Sequence, residues 1–418
     1  MNYQESVEYL YSLGHETLAM KLGLESVRAL AGACGDPQMK FPAVHIAGTN
    51  GKGSTAAMIE SILGAAGYRT GLYTSPHLIS ITERIKINDH EIGKDDFTRL
   101  VESVRAAGKQ LVEDGLLQAL PTFFEQITMV AFLYFAECQI ELAVLEVGLG
   151  GRLDATNICQ PLVTAITPIS FDHQQYLGET LGEIAGEKSG IIKTGVPVIV
   201  APQEESAMKA ITSRAAELGA PLIDGGSRPS LIDRQDVRLN LRGRHQVTNA
   251  STALLIAEVL KEKGWVITGS AIKYGLENVQ WPGRLEILRP FETAPSLLLD
   301  GAHNPAGVKV LRDFLGENFA ATPITLIFGV MADKAIEEML GILFPVARTL
   351  IVTKVMNQRA ADPKVIAEVA AKFDWELIQS ENTGEALAEA FRVTPEDGLI
   401  CVCGSLFLVG EIKERLLI

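Results

Sequence analysis

Short, continuous apolar runs alternate with longer segments of helical periodicity along most of this 418-residue chain. The run 142–147 is typical, because an unbroken apolar strand suits a parallel sheet that is buried on both faces. In the first part of the chain the predicted strands are 43–47, 142–147, 162–167 and 196–201, and the predicted helices are 54–66, 123–138, 179–188 and 246–263. This order predicts an α/β fold with a P-loop-type, doubly wound, mostly parallel sheet.

The same rhythm starts again near residue 296. The predicted strands are 296–300, 324–330, 349–355, 376–379 and 399–403, and a helix over 405–417 ends the series. Between the two series, the segment 289–295 holds two prolines and shows no periodicity, which predicts a linker. We therefore expect an N-terminal domain over 1–290 and a smaller, Rossmann-like α/β domain over 296–418.

The balance of charge excludes some classes of protein. Acidic residues outnumber basic ones by 51 to 37, for a net charge of −14, whereas binding to nucleic acid or to an anionic membrane needs a basic surface. The five cysteines include no CxxC pair and are odd in number, which argues against a disulfide framework or a zinc site. No targeting segment is recognisable in the first ten residues, and no apolar stretch approaches the roughly 20 residues that span a bilayer. We expect a cytoplasmic protein.

The strongest local signal is the glycine-rich segment Gly48-Thr-Asn-Gly-Lys-Gly-Ser54, which follows a predicted strand and opens a predicted helix. Its glycines let backbone N–H groups face phosphate oxygens, the helix N-terminus favours an anion, and Lys52 adds a positive charge. The segment departs from the common form G-x-x-x-x-G-K-S/T, because Ile46 replaces the first glycine and Gly53 follows the lysine. A plain turn is the alternative, but the strand–loop–lysine–helix order favours phosphate binding.

Carboxylate and hydroxyl groups follow other predicted strands. Glu146 ends the strand 142–147, as the acidic residue of a nucleotide-bound Mg²⁺ site would, although a capping or salt-bridged glutamate is the alternative. His173 follows the strand 162–167, but imidazole is an uncommon Mg²⁺ ligand. Ser75 is an ordinary turn serine on spacing alone. Lys188 lies on an amphipathic helix, where the pattern indicates a surface lysine.

Two further segments flank the predicted linker. In Asp300-Gly-Ala-His-Asn-Pro305 a carboxylate, an imidazole and an amide share one turn at the carboxyl end of a strand, where open α/β sheets bind ligands. A structural turn is the alternative. Arg284, in Trp281-Pro-Gly-Arg284, either reaches a nucleotide in the cleft between the domains or faces solvent.

Seven segments in order carry a resemblance to a known family. They are His45-Ile-Ala-Gly-Thr-Asn-Gly-Lys-Gly-Ser54, Tyr73-Thr-Ser-Pro-His-Leu78, Leu145-Glu-Val-Gly-Leu-Gly-Gly-Arg-Leu-Asp-Ala-Thr-Asn157, Gly186-Glu-Lys-Ser-Gly-Ile-Ile-Lys193, Trp281-Pro-Gly-Arg284, Leu299-Asp-Gly-Ala-His-Asn-Pro305 and Gly404-Ser-Leu-Phe-Leu-Val-Gly410. With them the chain resembles the folylpolyglutamate synthase/dihydrofolate synthase family of the Mur ligase superfamily. The resemblance implies that 1–290 is an ATP-binding, Mur ligase central-type domain and that 296–418 is a Mur ligase C-terminal-type domain.

The resemblance also implies roles for individual residues. It assigns the ATP phosphates to Gly51, Lys52, Gly53 and Ser54, magnesium to Ser75, Glu146 and His173, and the far side of the nucleotide to Asn249, Arg284 and Asp300. It makes Lys188 a carbamylated lysine near a second Mg²⁺, and it assigns catalysis to Lys52, Lys188 and His173. It assigns the pterin substrate to Thr122, Phe123, Phe124, Glu125, Leu153, Asp154 and Ala155.

The implied reaction is the ATP-dependent ligation of L-glutamate to dihydropteroate, to a reduced folate, or to both, through an acyl phosphate. We expect ATP as co-substrate, two Mg²⁺ ions and a monomer. One alternative is a Mur-type ligase that acts on a UDP-muramyl precursor. The other is a regulatory P-loop ATPase that forms no amide bond.

Overall fold

The computed structural model describes residues 1–14, 23–227, 237–290 and 294–416. Its first sheet has eight strands in the order β4-β3-β2-β5-β1-β6-β7-β8. The strands are β1 (Ala43–Ala47), β2 (Thr70–Tyr73), β3 (Ile85–Ile87), β4 (His90–Glu91), β5 (Leu142–Glu146), β6 (Pro161–Ile166), β7 (Val198–Val200) and β8 (Leu222–Asp224). All are parallel except β3 and β4, which form an antiparallel edge. The four strands predicted in this region are confirmed to within two residues at each end.

Helices cover both faces of this sheet. They are α1 (Tyr3–Ser12), α2 (Glu25–Ala33), α3 (Lys52–Ala65), α4 (Lys94–Glu113), α5 (Phe123–Glu137), α6 (Gln174–Leu177), α7 (Leu181–Ser189), α8 (Glu205–Glu217), α9 (His245–Glu262) and α10 (Gly269–Asn278). Side chains alternate along β1, so Val44 and Ile46 pack with α3 and α9, whereas Ala43 packs with α2 and α5. The doubly wound α/β fold is confirmed.

The second domain repeats this plan on a smaller scale. Its sheet has the order β13-β12-β11-β14-β10-β9. The strands are β9 (Glu286–Leu288), β10 (Ser296–Leu299), β11 (Ile324–Phe328), β12 (Thr349–Val352), β13 (Glu376–Gln379) and β14 (Leu399–Cys403), and the helices are α11 (Pro305–Asn318), α12 (Ile336–Leu343), α13 (Pro363–Ala370), α14 (Thr383–Val393) and α15 (Leu406–Leu416). All five predicted strands are present. Residue 417 of the predicted last helix lies outside the described residues.

The chain enters the second sheet earlier than the sequence indicated. Strand β9 precedes the predicted linker, yet it pairs antiparallel with β10, with Leu288 opposite Leu297 and Glu286 opposite Leu299. The segment 289–295, of which 291–293 lie outside the described residues, therefore connects two strands of one sheet. Three half-buried residues give too short an alternation to be recognised as a strand. The division at 290 and 296 stays a prediction, and β9 belongs structurally to the second sheet.

No described helix is both long and apolar enough to cross a membrane. Four short 3-10 helices complete the secondary structure of the described residues, at Pro37–Met39, Ile81–Arg84, Ala155–Ile158 and Phe344–Val346. Of these, Ala155–Ile158 follows β5 and carries part of the site described below.

Candidate active site

The glycine-rich segment forms a tight loop between β1 and α3. Gly51 caps α3 at φ 89°, a left-handed conformation that favours glycine, and Lys52 is the first helical residue. A Cβ on Gly51 would collide with the side-chain amide of Asn249 from α9. A Cβ on Gly53 would lie 2.9 Å from the ring of Trp281. The loop is therefore held between α9 and the segment that leads into the second domain, and the first turn of α3 lines a cavity.

A cation and a carboxylate face each other beside this loop. Lys52 Nζ donates to the Thr49 carbonyl at 3.2 Å and lies 4.0 Å from Oε1 of Glu146, at the end of β5. The backbone N–H of Ser75 donates to the other carboxylate oxygen at 3.3 Å. Glu146 is 5% exposed, and burial raises its pKa while the charge of Lys52 lowers it. The strand ends thus bring three of the predicted residues to one edge of the sheet.

Lys188 lies beneath the same loop. It is 4% exposed, and its Nζ donates to the Gly48 carbonyl at 2.8 Å. The helical pattern alone indicated a surface lysine, and the structure shows the opposite. Burial, followed by the charge of Lys52, lowers the pKa of Lys188 to about 7. A substantial fraction of this amine is therefore neutral near neutral pH, and the neutral form is the one that reacts with CO₂ to give a carbamate.

His173 and its neighbour Asp172 occupy the loop after β6. His173 adopts φ 51°, burial lowers its pKa to about 4, and its buried Nδ1 has no hydrogen-bond partner among the described residues. Asp172 binds across to the second domain, with Lys334 Nζ at 2.5 Å and His303 Nε2 at 3.4 Å. Burial alone would raise the pKa of Asp172, but these two partners hold it well below its usual range. This cluster ties the two domains together.

Arg284 and Asp300 form the second domain's side of the loop cavity. Asp300, at the end of β10, accepts the backbone N–H groups of Leu285 at 2.9 Å and Ala302 at 3.0 Å. Burial raises the pKa of Asp300, against the opposing charge of Arg284. Burial lowers the pKa of Arg284, while the charges of Asp300 and Glu146 raise it. Arg284 thus lies between carboxylates from both domains and is only partly exposed.

One cavity of about 770 Å³ collects the predicted nucleotide and metal residues. Its lining includes residues from both domains, among them Gly51, Lys52, Gly53, Ser54, Ser75, Glu146, His173, Lys188, Asn249, Arg284 and Asp300. Segments separated by up to 249 positions in the sequence therefore meet on one surface, as the motifs suggested.

A second cavity, of about 370 Å³, adjoins the first, and the residues that line both include Ser75, His173 and His303. Its lining includes six of the seven predicted pterin residues, namely Thr122, Phe124, Glu125, Leu153, Asp154 and Ala155. Phe123 is the exception. Its ring is 2% exposed and stacks on Tyr11 with the ring centroids 5.5 Å apart, because it is the first residue of α5 and turns into the core. A direct contact between Phe123 and a ligand in this cavity is not supported.

The donor groups at the loop suit Mg²⁺ only if phosphate and water complete its shell. Glu146 offers a carboxylate, Ser75 a hydroxyl, and His173 a buried nitrogen that has no partner in the described part of the chain. Among the described residues, no group of three His, Cys, Asp or Glu side chains is arranged to hold a metal. Mg²⁺ typically binds one or two protein oxygens and takes its other ligands from substrate phosphates and water, so the residues fit an ion that arrives with a nucleotide.

Comparison with known proteins decides the family. Residues 46–228 match the Mur ligase middle domain, and residues 283–406 match the Mur ligase glutamate ligase domain. The dihydrofolate synthase/folylpolyglutamate synthase of Bacillus subtilis is 35% identical, over 99% of this chain and 99% of that protein. The chain belongs to the folylpolyglutamate synthase/dihydrofolate synthase family. The predicted family and the predicted class of enzyme, a Mur-type ATP-dependent ligase, are confirmed.

Solved structures of the family agree with this fold. The folylpolyglutamate synthase of Mycobacterium tuberculosis, complexed with ADP, superposes with a TM-score of 0.90 at 30% identity, covering 99% of this chain and 98% of that one. E. coli FolC, in complex with DHPP and ADP, superposes with a TM-score of 0.87 at 29% identity, covering 100% and 98%. The relatives do not support the UDP-muramyl ligase or the regulatory ATPase.

Sequence reasoning missed the basic groups that the second domain contributes to the smaller cavity. Lys334 and Arg359 line it, and Arg359 donates to Asp333 at 2.8 Å. The available signal was position, because Lys334 follows the end of β11, and the carboxyl ends of parallel strands bind ligands in such sheets.

Proposed function

We propose that this protein joins the amino group of L-glutamate to the carboxyl group of dihydropteroate, of a glutamylated reduced folate, or of both, at the expense of ATP. One observation carries the proposal: the cavity that contains the phosphate loop and the cavity lined by the pterin-site segments adjoin at Ser75, His173 and His303. A carboxylate must be activated before an amine attacks it, so the acceptor's carboxyl group and the γ-phosphate of ATP must meet. The shared boundary is where we place that encounter.

On the nucleotide side, we assign the phosphates to the N–H groups of Gly51, Lys52, Gly53 and Ser54. The ammonium group of Lys52 offsets triphosphate charge, and Asn249, Arg284 and Asp300 contact the nucleotide from α9 and the second domain. A chain of net charge −14 can hold these anions because Lys52, Lys188 and Arg284 all line the cavity at the loop. This local group of basic side chains supports the assignment.

We assign Mg²⁺ to Ser75, Glu146 and His173, and a second ion to the region of Lys188 once that lysine carries a carbamate. Bound Mg²⁺ would offset the negative charge that develops on the phosphoryl group during its transfer. The side chains themselves hold the loop in shape. Lys188 binds the Gly48 carbonyl, and Glu146 accepts from Ser75.

The reaction then proceeds in two steps. The acceptor's carboxylate oxygen attacks the γ-phosphorus of ATP, ADP leaves, and an acyl phosphate remains. The amino group of glutamate, having lost a proton, attacks the acyl carbon, and inorganic phosphate leaves as the amide forms. The acyl phosphate is sensitive to water, and the ion pair of Asp172 with Lys334 of the second domain holds the cleft closed around it.

On the acceptor side, we assign the pterin ring to the second cavity. Phe124 packs so closely on Gly148 that a Cβ there would collide with its ring, which leaves an aromatic wall beside the loop after β5. Asp154 provides a hydrogen-bond acceptor on the opposite segment. Thr122 and Glu125 cap the N-terminus of α5, where Glu125 N–H donates to Thr122 Oγ1 at 3.3 Å, so this wall is rigid.

The deciding experiment measures ADP formation with dihydropteroate and with tetrahydrofolate in parallel, each with and without L-glutamate. We expect turnover that requires both the pterin and glutamate, and the relative rates show whether one or both acceptors are used. ADP formation that ignores both co-substrates would establish the regulatory ATPase instead.

Two further parts of the proposal concern the state of the protein. We propose a cytoplasmic monomer, supported by five free cysteines among the described residues. Mass measurement in solution at assay concentrations tests the monomer, and a stable dimer would contradict it.

A further inference from the structure

His45 opens the shared segment 45–54 but lines neither cavity. It lies on β1, three residues before Gly48, and is 0% exposed. Because side chains alternate along a strand, the His45 side chain lies on the same face of the sheet as Ala43, and Ile46 lies on the other face. Burying an imidazole in the middle of a parallel sheet is costly unless it is hydrogen-bonded, so its presence calls for a role other than phosphate contact.

A chain of hydrogen bonds runs from His45 to Asp154. His45 Nε2 lies 2.8 Å from Thr156 Oγ1. The Thr156 hydroxyl donates to Asp154 Oδ1 at 2.5 Å, and the Thr156 backbone N–H donates to the same oxygen at 3.0 Å. Because the hydroxyl proton goes to the carboxylate, the hydroxyl oxygen must accept from His45, which fixes the Nε2–H tautomer. Burial lowers the pKa of His45 to about 3, so the ring stays neutral.

Asp154 is the member of this hydrogen-bond series that reaches the second cavity. It is 6% exposed and lines the second cavity. The Leu149 N–H donates to its Oδ2 at 3.0 Å, so both carboxylate oxygens are held by the protein. Burial raises the pKa of Asp154, whereas the hydrogen bonds from Thr156 and Leu149 favour its ionised form. Both oxygens of Asp154 act as acceptors in these hydrogen bonds, and their remaining lone pairs suit a ring that offers adjacent N–H donors, as the aminopyrimidine edge of a pterin does.

We propose that His45 and Thr156 are positioning residues for recognition of the acceptor: they hold Asp154 in the orientation that receives the N–H donors of the pterin ring. This inference rests on the proposed function, since it takes the second cavity as the acceptor site. Strand β1 then serves both cavities. Its carboxyl end leads into the glycine-rich loop, and His45 supports Asp154 in the wall of the second cavity.

The test compares the KM for the pterin acceptor with the KM for ATP in variants of the full-length enzyme. Thr156→Val removes the hydroxyl but keeps the shape, and His45→Met removes the ring donor. Each should raise the acceptor KM about tenfold or more, the effect of losing a hydrogen bond to a charged group, while the KM for ATP stays within about twofold.

Conservative variants separate this role from simple packing. Thr156→Ser keeps the hydroxyl, and His45→Gln places an amide N–H at the position of Nε2, so both should stay within about threefold of the parent acceptor KM. His45→Asn reaches only the position of Nδ1, which has no partner among the described residues, and should behave like His45→Met. The comparison of His45→Gln with His45→Asn tests the positioning role even if an apolar variant fails to fold.

A matched control is Thr325→Val in the second domain, where a buried hydroxyl accepts from Thr394 Oγ1 at 2.8 Å. It should lower the melting temperature without changing the acceptor KM. Folded Thr156→Val with an unchanged acceptor KM, or with equal rises in both KM values, overturns the inference. Asp154→Asn separates a failure of the positioning role from a failure of the proposed acceptor site. If Asp154→Asn leaves the acceptor KM unchanged, the proposed acceptor site itself is wrong. If Asp154→Asn raises the acceptor KM but Thr156→Val does not, only the positioning role is refuted.

Discussion

Asp172 of the first domain and Lys334 of the second form a buried ion pair, with Oδ1 and Nζ 2.5 Å apart and side chains 8% and 7% exposed. Removing one member of such a pair leaves an uncompensated buried charge, whereas removing both does not. Asp172→Asn leaves Lys334 with Asp333 alone, 3.4 Å away, and should lower the free energy of unfolding by at most about 3 kcal/mol. The double variant with Lys334→Met should recover part of that loss. Denaturant unfolding of the two single variants and the double variant measures the coupling, and strictly additive effects would show that the pair contributes nothing.

Lys52 lies at the centre of the candidate site but contributes little to the stability of the fold. Its side chain is 17% exposed, and its carboxylate partner, Glu146, is as far as 4.0 Å away. Lys52→Ala should therefore reduce kcat by about a hundredfold or more, through lost stabilisation of phosphoryl charge, while unfolding changes by less than about 1 kcal/mol. Steady-state kinetics and thermal unfolding check the two halves. Lys273→Ala, on the outer helix α10, serves as the control and should keep full activity. Unfolding of Lys52→Ala would point to a structural role instead.

Lys188 should carry a carbamate whose extent depends on pH. Its pKa is lowered to about 7, so the amine is mostly protonated below pH 7 and mostly neutral above it. Only the neutral amine reacts with CO₂, so the carbamate and the activity should rise together as the pH increases through about 7. Carbon NMR of the protein in labelled bicarbonate follows the carbamate signal. That signal should be absent from Lys188→Arg, and its persistence there would assign it to another lysine.

Glu60, on α3 away from both cavities of the site, predicts a pH dependence of stability. Its carboxyl group is 5% exposed, burial raises its pKa to about 7, and its Oε1 accepts from Thr70 Oγ1 at 3.0 Å. Between pH 4.5 and 7 the folded protein holds a proton that the unfolded chain has released, so this group's contribution to stability is complete below pH 4.5 and is lost as the pH rises through 7.

The variant Glu60→Gln keeps the hydrogen-bond acceptor but cannot ionise. It should be more stable than the parent at pH 8 by about 3 kcal/mol and equally stable near pH 4.5. Urea unfolding at both pH values gives the comparison. A difference that does not change between them would show that Glu60 titrates normally.

The parts of the fold that were predictable from sequence are those whose residue pattern is determined locally along the chain. Strand β1, strand β5 and helix α9 are continuous or periodic in their apolar residues, and the glycines of the loop mark its turn. Strand β9 and the β3–β4 hairpin were not predictable, because strands of two or three mostly half-buried or exposed residues give no usable period.

Side-chain environments were harder to predict than elements. Lys188 looks like a surface residue on its helix, and it is buried because α7 packs against the loop after β5, where a Cβ on Gly151 would lie 2.8 Å from the Lys188 carbonyl oxygen. The Asp172–Lys334 pair joins residues 162 positions apart, and no local pattern links them. The orientation of Phe123 likewise depends on Tyr11, which comes from another helix.

The early entry of the chain into the second sheet has a consequence for anyone who cuts or recombines this protein. A fragment that starts at residue 296 would lack β9 and leave the N–H and C=O groups along one edge of β10 exposed, an edge that invites pairing with another molecule. A fragment that starts at residue 283 keeps β9, but it separates Arg284 from Lys52 and Glu146, which line the same cavity in the first domain. The halves of two relatives therefore cannot be exchanged at this boundary without also exchanging part of the cavity at the glycine-rich loop.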